Sequence, residues 1–348
     1  IQKTVFKIYD RQTHIILTAL VNGLILLPFV LLFTTAGYLS DRHPKTRVMQ
    51  VSAAVAVGLT LLITLAYYQG WFRFAFAMTF LLAVQSAFYS PAKYGYIKEL
   101  TGKERLTTAN AIVQAVTIVA ILLGIFIFSV FFEQALTGVS YDSPAQLLQA
   151  IAPVGWVLVA CAGLGFLSTL RLPATGTGAA DLSFDWTRYG KGRYLHDNLH
   201  TILANRSIWL SIVGLSAFWG ISQVVLAAFP AFAKETLAEN NTVIIQGIMA
   251  SSGIGIMLGS LLAGRASKHH IETGLIPLGA LGIVTALFAL PQLTSRGGLI
   301  MDFLLLGTAG GVFIVPLNAL IQFHARDAQL GTVLAGNNWV QNVVMLSF

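Results

Sequence analysis

Charged residues are scarce in this sequence. Asp, Glu, Lys and Arg together make up 10% of its 348 residues, whereas soluble domains carry about 25%. Hydrophobic residues make up 56%, and they fall in long uninterrupted runs. A helix needs roughly 20 apolar residues to span a bilayer, and the sequence supplies many such runs. The composition therefore excludes an ordinary soluble domain and predicts a protein whose solvent is mostly lipid.

The sequence also has little that could support catalysis or metal binding. Its single cysteine, Cys161, lies inside an apolar run, so it can form neither an intrachain disulfide nor a cysteine metal cluster, and we interpret it as a small packing residue. No His/Cys or His/Glu pair has metal-ligand spacing, and no Ser/His/Asp set is convincing. A phosphate-binding Gly-Lys-Ser/Thr motif is absent too, which argues against an ATP-driven pump. We therefore predict no enzyme activity, no metal site and no cofactor.

Carboxylates are missing from the middle of every apolar segment. Glu133, Glu235 and Asp302 lie near segment ends. Proton-coupled carriers usually keep a carboxylate inside the membrane. We therefore expect that such a group is missing here or belongs to a helix outside this sequence.

The net charge of +7 does not indicate nucleic-acid binding, because the basic residues lie in short turns between apolar runs. Such turns suit anionic lipid headgroups and set membrane topology. If the turn at 41–47 is cytoplasmic and the segments alternate, the larger share of the 21 lysines and arginines lies inside. The sequence thus predicts a multi-pass membrane protein, with membrane lipids rather than nucleic acid around it.

Ten apolar segments follow a short polar start. Their predicted bounds are 13–36, 48–68, 74–92, 107–132, 150–170, 207–233, 242–264, 273–292, 298–320 and 329–348. Their length and composition predict an all-α membrane protein. The sequence lacks an initiator Met and stops inside an apolar run, so we expect a fragment of a longer protein.

One long polar stretch, 173–206, separates five apolar segments from five others. We predict three domains: an N-terminal helical half at 1–171, a cytoplasmic linker at 172–206 and a C-terminal helical half at 207–348. In the linker, Leu195, Leu199 and Ile202 share one face of a predicted helix, which can lie along the inner membrane surface. A tether with some helix is an equally good interpretation.

The turn after the first segment, 37–47, resembles the signature turn of the major facilitator superfamily. A glycine at Gly37 lets two helices approach closely. Asp41 can face the N-terminus of a neighbouring helix, where an anion is favoured. Arg42, Lys45 and Arg47 can pair with Asp41 and hold the turn in the cytoplasm. We predict a latch that is made in one state and broken in the other. The alternative is a basic turn that only sets topology.

Polar residues recur at helical spacing in three segments. The sets are His14, Thr18 and Asn22; Ser86, Ser90 and Lys93; and Asn110, Gln114 and Thr117. Residues at these spacings share one face, and in lipid a polar face must turn toward protein or a water-filled cavity. We predict that these faces line a polar cavity. The alternative is hydrogen bonding between helices with no ligand.

Lys93 allows two interpretations. It follows Pro91 and precedes Tyr94 and Gly95, a sequence that is expected to break a helix. The lysine can reach to the inner membrane surface, as long cationic side chains commonly do. It can equally stand in the mouth of the cavity and meet an anionic group such as phosphate, which lysine binds as a point charge.

Small residues predict tight helix packing in the second half. Gly255 and Gly259 are four residues apart, as are Gly307 and Gly311. This spacing is typical of helices whose backbones approach closely in membranes.

Several further runs form a recognisable pattern: Ser90 to Gly95, Glu99-Leu100, Ala109-Asn110, Thr117 to Gly124, Phe218 to Gly220, Val315 to Gln322, and Ala335 to Asn337. Together these runs resemble the bacterial lysophospholipid transporter family of the major facilitator superfamily. The resemblance covers most of the chain. It implies a bundle of two six-helix halves, of which this sequence holds about helices 2–11 of 12.

The resemblance also implies a function. The family flips or imports lysophospholipids, chiefly lysophosphatidylethanolamine, across the inner membrane without ATP. Some members are fused to acyltransferase and acyl carrier protein synthetase domains, which are the implied partners. By the family pattern, Lys93 corresponds to a cavity lysine linked to headgroup recognition. The predicted binding set joins Lys93, for the phosphate, with Thr18, Asn22, Ser90, Asn110 and Gln114 from the polar faces, and the predicted gating set from the turn at 37–47 is Gly37, Asp41, Arg42 and Arg47.

The sequence departs from the family pattern at two polar positions. Gln114 stands where members often have Glu, and Leu226 stands where an Arg follows Phe-Trp-Gly. Losing an acid and a base leaves the cavity less zwitterionic, so the headgroup could differ from ethanolamine. Two other functions stay open: a carrier for another small solute, and a membrane anchor for a fused acyltransferase that transports nothing itself.

Overall fold

The computed structural model describes residues 23–138, 143–176, 178–179, 181–236, 242–267 and 270–347. Three residues of the first predicted polar face, His14, Thr18 and Asn22, lie outside this part of the chain. Within it, regular structure is helical throughout. The all-α prediction is therefore confirmed for the described residues.

The α-helices are numbered here in chain order. Their bounds are α1 Gly23–Leu31, α2 Phe33–Arg42, α3 Lys45–Gln69, α4 Phe72–Thr101, α5 Leu106–Leu136, α6 Pro144–Leu170, α7 Trp186–Gly190, α8 Arg193–Ala204, α9 Arg206–Thr236, α10 Thr242–Ala266, α11 Leu275–Ala289, α12 Arg296–His324 and α13 Leu330–Leu346. Short 3-10 turns, Leu290–Gln292 and Asp327–Gln329, follow α11 and precede α13.

Eight of these helices are long and apolar enough to cross a membrane: α3 to α6 and α9 to α12. The count rises to nine if α1 and α2, which meet at an angle of 56°, form one broken span. Each of the ten predicted apolar segments overlaps a helix of the described residues, with α13 as the tenth. Apolar length alone thus located the helices correctly.

The expected helix break after Ser90 is wrong, because α4 continues through Pro91 to Thr101. Proline lacks the N–H of a helical hydrogen bond, but neighbouring helices in membranes compensate for this loss. Pro91 and Ala92 are buried, as is Gly95 one turn further on. Tertiary packing therefore holds the helix across the proline, and Lys93 belongs to a helix rather than to a loop.

The chain forms two compact units. The first comprises Ile1–Tyr96, Ile125–Leu195 and Ala328–Asn342, and the second comprises Ile97–Gly124, His196–Asp327 and Val343–Phe348. In the first unit, α3 packs along α6. In the second, α12 packs against α9, α10 and α11, around a core that includes Phe229, Ile248, Leu299 and Phe303.

Glycines let α10 and α12 meet backbone to backbone, as the small-residue spacing predicts. A Cβ atom on Gly307 would overlap the carbonyl oxygen of Ser252, and one on Gly259 would overlap the carbonyl oxygen of Thr308. A Cβ atom on Gly311 would lie 2.6 Å from the amide nitrogen of Ser260. Side chains cannot fit between these backbones, so the prediction of tight packing is confirmed.

The linker contains two helices, α7 and α8. On α8 Ile202 is fully buried and Leu199 is half-buried, whereas Leu195 is exposed. The apolar face of this helix is therefore covered at its C-terminal end.

Candidate functional site

The carboxylate of Asp41 lies at the N-terminus of α13. It accepts hydrogen bonds from the backbone N–H of Gly331 (2.6 Å), the backbone N–H of Thr332 (2.9 Å) and the Thr332 hydroxyl (2.8 Å). The first N–H groups of a helix have no partner within the helix, and the helix dipole favours an anion there. Asp41 is 5% exposed, so these bonds form in a nearly water-free site.

Two glycines allow this contact. A Cβ atom on Gly37 would lie 2.8 Å from the Cα atom of Thr332. A Cβ atom on Gly331 would lie 2.7 Å from an Asp41 oxygen and 2.7 Å from the Ser40 side chain. Any larger residue at either position would therefore separate the end of α2 from the start of α13.

The cation beside Asp41 is Lys45. Its ammonium is buried, donates a hydrogen bond to the carbonyl oxygen of Ser40 (2.7 Å) and interacts electrostatically with the Asp41 carboxylate. Arg42 instead donates to the hydroxyl of Tyr38 (2.7 Å), and Arg47 is exposed. We call Asp41, Lys45, Gly331 and Thr332 the latch.

Lys98 holds the far end of α12 in the second unit. Its ammonium is buried and donates to the carbonyl oxygen of Ala325 (2.7 Å), the residue that caps the C-terminus of α12. It also pairs with Asp327 (2.7 Å), whose side chain is 86% exposed. A cation is favoured at a helix C-terminus, so Lys98 stabilises the end of α12.

Lys98→Met is expected to lower the free energy of unfolding by about 1–3 kcal/mol, because it leaves the buried Ala325 carbonyl without a donor. Asp327→Asn removes the charge of an exposed side chain and should cost less than about 1 kcal/mol. Thermal unfolding of the purified protein in detergent measures both. Equal losses of unfolding free energy for the two variants would mean that the ion pair, and not the hydrogen bond to the Ala325 carbonyl, stabilises the end of α12.

Two of the predicted cavity residues form hydrogen bonds with side chains of other helices. Asn110 is 3% exposed and exchanges two hydrogen bonds with the amide of Gln322 on α12, at 3.0 and 2.9 Å. Gln114, one turn along α5, is 8% exposed. In the first unit, the hydroxyl of Ser90 accepts a hydrogen bond from Asn338 (2.9 Å). Asn110 and Ser90 therefore join helices in this structure, which is the alternative that the spacing left open.

Lys93 is half-buried, and its ammonium lies 4.6 Å from the centroid of the Tyr94 ring. A cation over an aromatic face gains electrostatic attraction while keeping its charge available. The structure thus places a partly covered cation on α4, three residues beyond Ser90.

Asp302 is buried more deeply than its position near a segment end suggests. It is 6% exposed, and its Oδ2 atom has no hydrogen-bond partner among the described residues. On the same helix, Leu299, Phe303 and Leu306 around it are buried and apolar. A carboxyl group is therefore present inside the second unit.

Sequence patterns did not mark Lys98 or the Asn110–Gln322 pair as contacts. The residues that meet are 227 and 212 positions apart, so no local spacing could reveal them. The only sequence signals were a lysine among the cytoplasmic charges and two amides at membrane depth.

Residues 5–348 match the family model described as the Major Facilitator Superfamily. This match covers nearly the whole chain. The chain therefore belongs to the major facilitator superfamily, as its signature turn predicts.

Similar curated proteins include lysophospholipid transporters named LplT. The chain is 29% identical to that of Serratia proteamaculans over 327 residues, which cover 93% of this chain and 74% of the relative. It is 30% identical to that of Cronobacter sakazakii over 322 residues, which cover 91% of this chain and 74% of the relative. Within the superfamily the chain is thus of the LplT type, and the predicted family is confirmed.

Solved structures share the fold. The chain superimposes on the proton:xylose symporter XylE bound to 6-bromo-6-deoxy-D-glucose with a TM-score of 0.71 and 14% identity, covering 97% of this chain and 78% of XylE. For the human organic anion transporter MFSD10 the TM-score is 0.69 with 13% identity, covering 95% of this chain and 76% of that protein. With its apolar helices and bacterial relatives, the chain is a multi-pass inner-membrane protein.

Proposed function

We propose that this protein moves lysophospholipids, of the lysophosphatidylethanolamine kind, across the inner membrane by alternating access. The observation that carries this proposal is the similarity to LplT lysophospholipid transporters along more than nine-tenths of the chain. The protein would act as a facilitator and catalyse no reaction. An acyltransferase, fused or associated, that reacylates the imported lipid stays a prediction from the resemblance.

In this proposal the halves at 1–171 and 207–348 move against each other, and the linker at 172–206 connects them. The latch holds the cytoplasmic end of α2 against α13 in one state and releases it in the other. Gly37 and Asp41 act through their contacts with α13, while Arg42 and Arg47 keep the turn in the cytoplasm.

Lys93 is proposed to meet the substrate phosphate. The Lys93 side chain is half-buried and its ammonium lies beside an aromatic ring, so a charge is held at a partly covered position. Thr18, Asn22, Ser90, Asn110 and Gln114 would supply polar contacts. For Asn110 this requires that its bonds to Gln322 open, since both amides are occupied by each other here.

Flux of a labelled lysophosphatidylethanolamine into proteoliposomes that contain the full-length protein tests the proposal. We expect a rate well above that of protein-free vesicles and no flux of the deacylated headgroup, glycerophosphoethanolamine. Flux of the water-soluble compound alone would favour a carrier for another small solute. Absence of lysolipid flux, with or without a fused acyltransferase, would favour a membrane anchor.

Lys93→Ala is expected to lower the initial lysolipid flux about 10-fold or more, because a hydrogen bond to a charged group contributes about 1.5–3 kcal/mol. Lys93→Arg keeps the charge and should retain part of the flux. Lys191, an exposed linker lysine, provides the control: Lys191→Ala should leave the flux unchanged. If Lys93→Ala behaves like Lys191→Ala, Lys93 does not bind the substrate.

A further inference from the structure

Part of the linker docks on the helix turn that carries the latch. The backbone N–H of Ala179 donates to the carbonyl oxygen of Asp41 (3.0 Å), so the linker binds the main chain of the latch acid itself. The hydroxyl of Tyr38, one turn before Asp41, donates to the carbonyl oxygen of Leu182 (2.9 Å). Both contacts lie within the first unit.

A glycine makes the docking possible. Gly178 has φ of +68°, a left-handed conformation that other residues rarely adopt. A Cβ atom there would also lie 2.7 Å from the carbonyl carbon of His43. The linker thus approaches the backbone just after α2 more closely than a side chain would allow.

An aromatic cluster covers the same turn. The ring of Phe184 lies 4.9 Å from that of Tyr38, centroid to centroid, and stacks on Tyr194 at 5.1 Å with 3° between the planes. The rings of Trp186 and Tyr189 also contact Phe184, at centroid distances of 4.9 and 5.5 Å. Phe184 therefore connects Tyr38 with the start of both linker helices.

Arg42, which follows Asp41 on α2, also contributes to this contact. Arg42 donates to the hydroxyl of Tyr38, and this hydroxyl in turn donates to Leu182. An arginine that the sequence suggested as a partner of Asp41 thus orients the tyrosine to which the linker binds.

We infer that linker residues 178–179 and 181–184 form a linker strap that positions Asp41 for its contact with α13. Phe184 and Tyr38 are positioning residues: they act on transport through the latch and touch no substrate. A plain tether would need neither a left-handed glycine nor an aromatic contact with α2. This inference rests on the proposed alternating access, but its first test needs no substrate.

The first test measures how often the latch opens. Ser40 is fully buried beside Gly331, so a cysteine at this position reacts with a maleimide only when α2 and α13 separate. The background is the full-length protein with Cys161→Ser and Ser40→Cys. Adding Phe184→Ala should speed labelling about 3- to 10-fold, the range expected for an aromatic pair, and Phe184→Tyr should restore the slow rate.

Trp186 is the matched control. It packs on Phe184 and Tyr189 and is 74% exposed, so Trp186→Ala removes aromatic area from the cluster and leaves the contact with Tyr38. Labelling near the starting rate for Trp186→Ala, with faster labelling for Phe184→Ala, supports the strap. Unchanged labelling in Phe184→Ala, or equal effects of both variants, overturns it.

A second test uses lysolipid flux with serine restored at position 40. If the strap acts through Asp41, Phe184→Ala should lower flux in the otherwise unmodified protein but have little further effect when Asp41 is already Ala. Additive losses would instead mean that Phe184 acts elsewhere and would overturn the inference. A protein that shows strap-dependent labelling but moves no lysolipid would contradict the proposed function alone.

Discussion

Replacing Asp41 by alanine is expected to suppress lysolipid flux about 100-fold. The variant leaves two N–H groups of α13 and the Thr332 hydroxyl without their shared acceptor, and it removes the carboxylate that interacts with the buried Lys45. Removing one partner of a buried charged pair costs about 3–5 kcal/mol, and each 1.4 kcal/mol is tenfold in an equilibrium constant. The state with α2 against α13 would therefore become rare.

Initial flux into proteoliposomes measures this effect. Asp41→Asn keeps the shape and one acceptor, so its flux should lie between those of the alanine variant and the unmodified protein. Glu104, an exposed acid in the turn between α4 and α5, is the control, and Glu104→Ala should not change the flux. If Asp41→Ala transports as fast as Glu104→Ala, the latch is only a topological signal.

Gly307→Ala is expected to destabilise the second unit by about 3 kcal/mol. The added methyl group would overlap the carbonyl oxygen of Ser252 on α10 and approach the amide of Ile256. These are backbone atoms, which cannot turn aside as a flexible side chain can. Overpacking a close-packed interior costs about 1–3 kcal/mol or more, and the upper end applies because both helices must separate. The transition temperature of the purified protein in detergent should fall accordingly.

Gly247→Ala is the matched control on α10. No atom of the described residues lies within 4 Å of a Cβ atom at Gly247, and alanine is favoured over glycine in a helix by about 1 kcal/mol. This variant should be as stable as the starting protein or more stable. A transition temperature for Gly307→Ala that equals that of Gly247→Ala would contradict the backbone contact between α10 and α12.

The boundaries of the helices show how much a linear pattern can predict. Apolar length located all ten segments, because a chain in lipid must satisfy its backbone within each spanning helix. Pro91 was the exception. The local preference of proline predicted that the helix would end there, but Pro91 is buried and tertiary packing holds α4 intact through it. The two glycine pairs of α10 and α12 were also predictable, because their spacing is a property of one helix at a time.

For the candidate site, too, the sequence predicted the residues but not the partners that they contact. Asp41 was predicted to face a helix N-terminus, but nothing local identifies that helix as α13, 290 residues away. The partner of Asp41 among three nearby cations was likewise open until burial selected Lys45. The spacing of Asn110 placed it on a polar face without indicating that Gln322 stands opposite.

The amino-acid sequence by itself determined that this chain spans a membrane, where its helices lie, and which turn carries an acid that can face a helix N-terminus. These properties depend on hydrophobicity and on periodicity over a few residues. Only the tertiary structure decided what the acid binds, that Lys98 caps α12, and that the linker docks on the latch turn. Such pairings join residues more than 100 positions apart, and they arise because buried polar groups must find partners wherever the packed helices bring them.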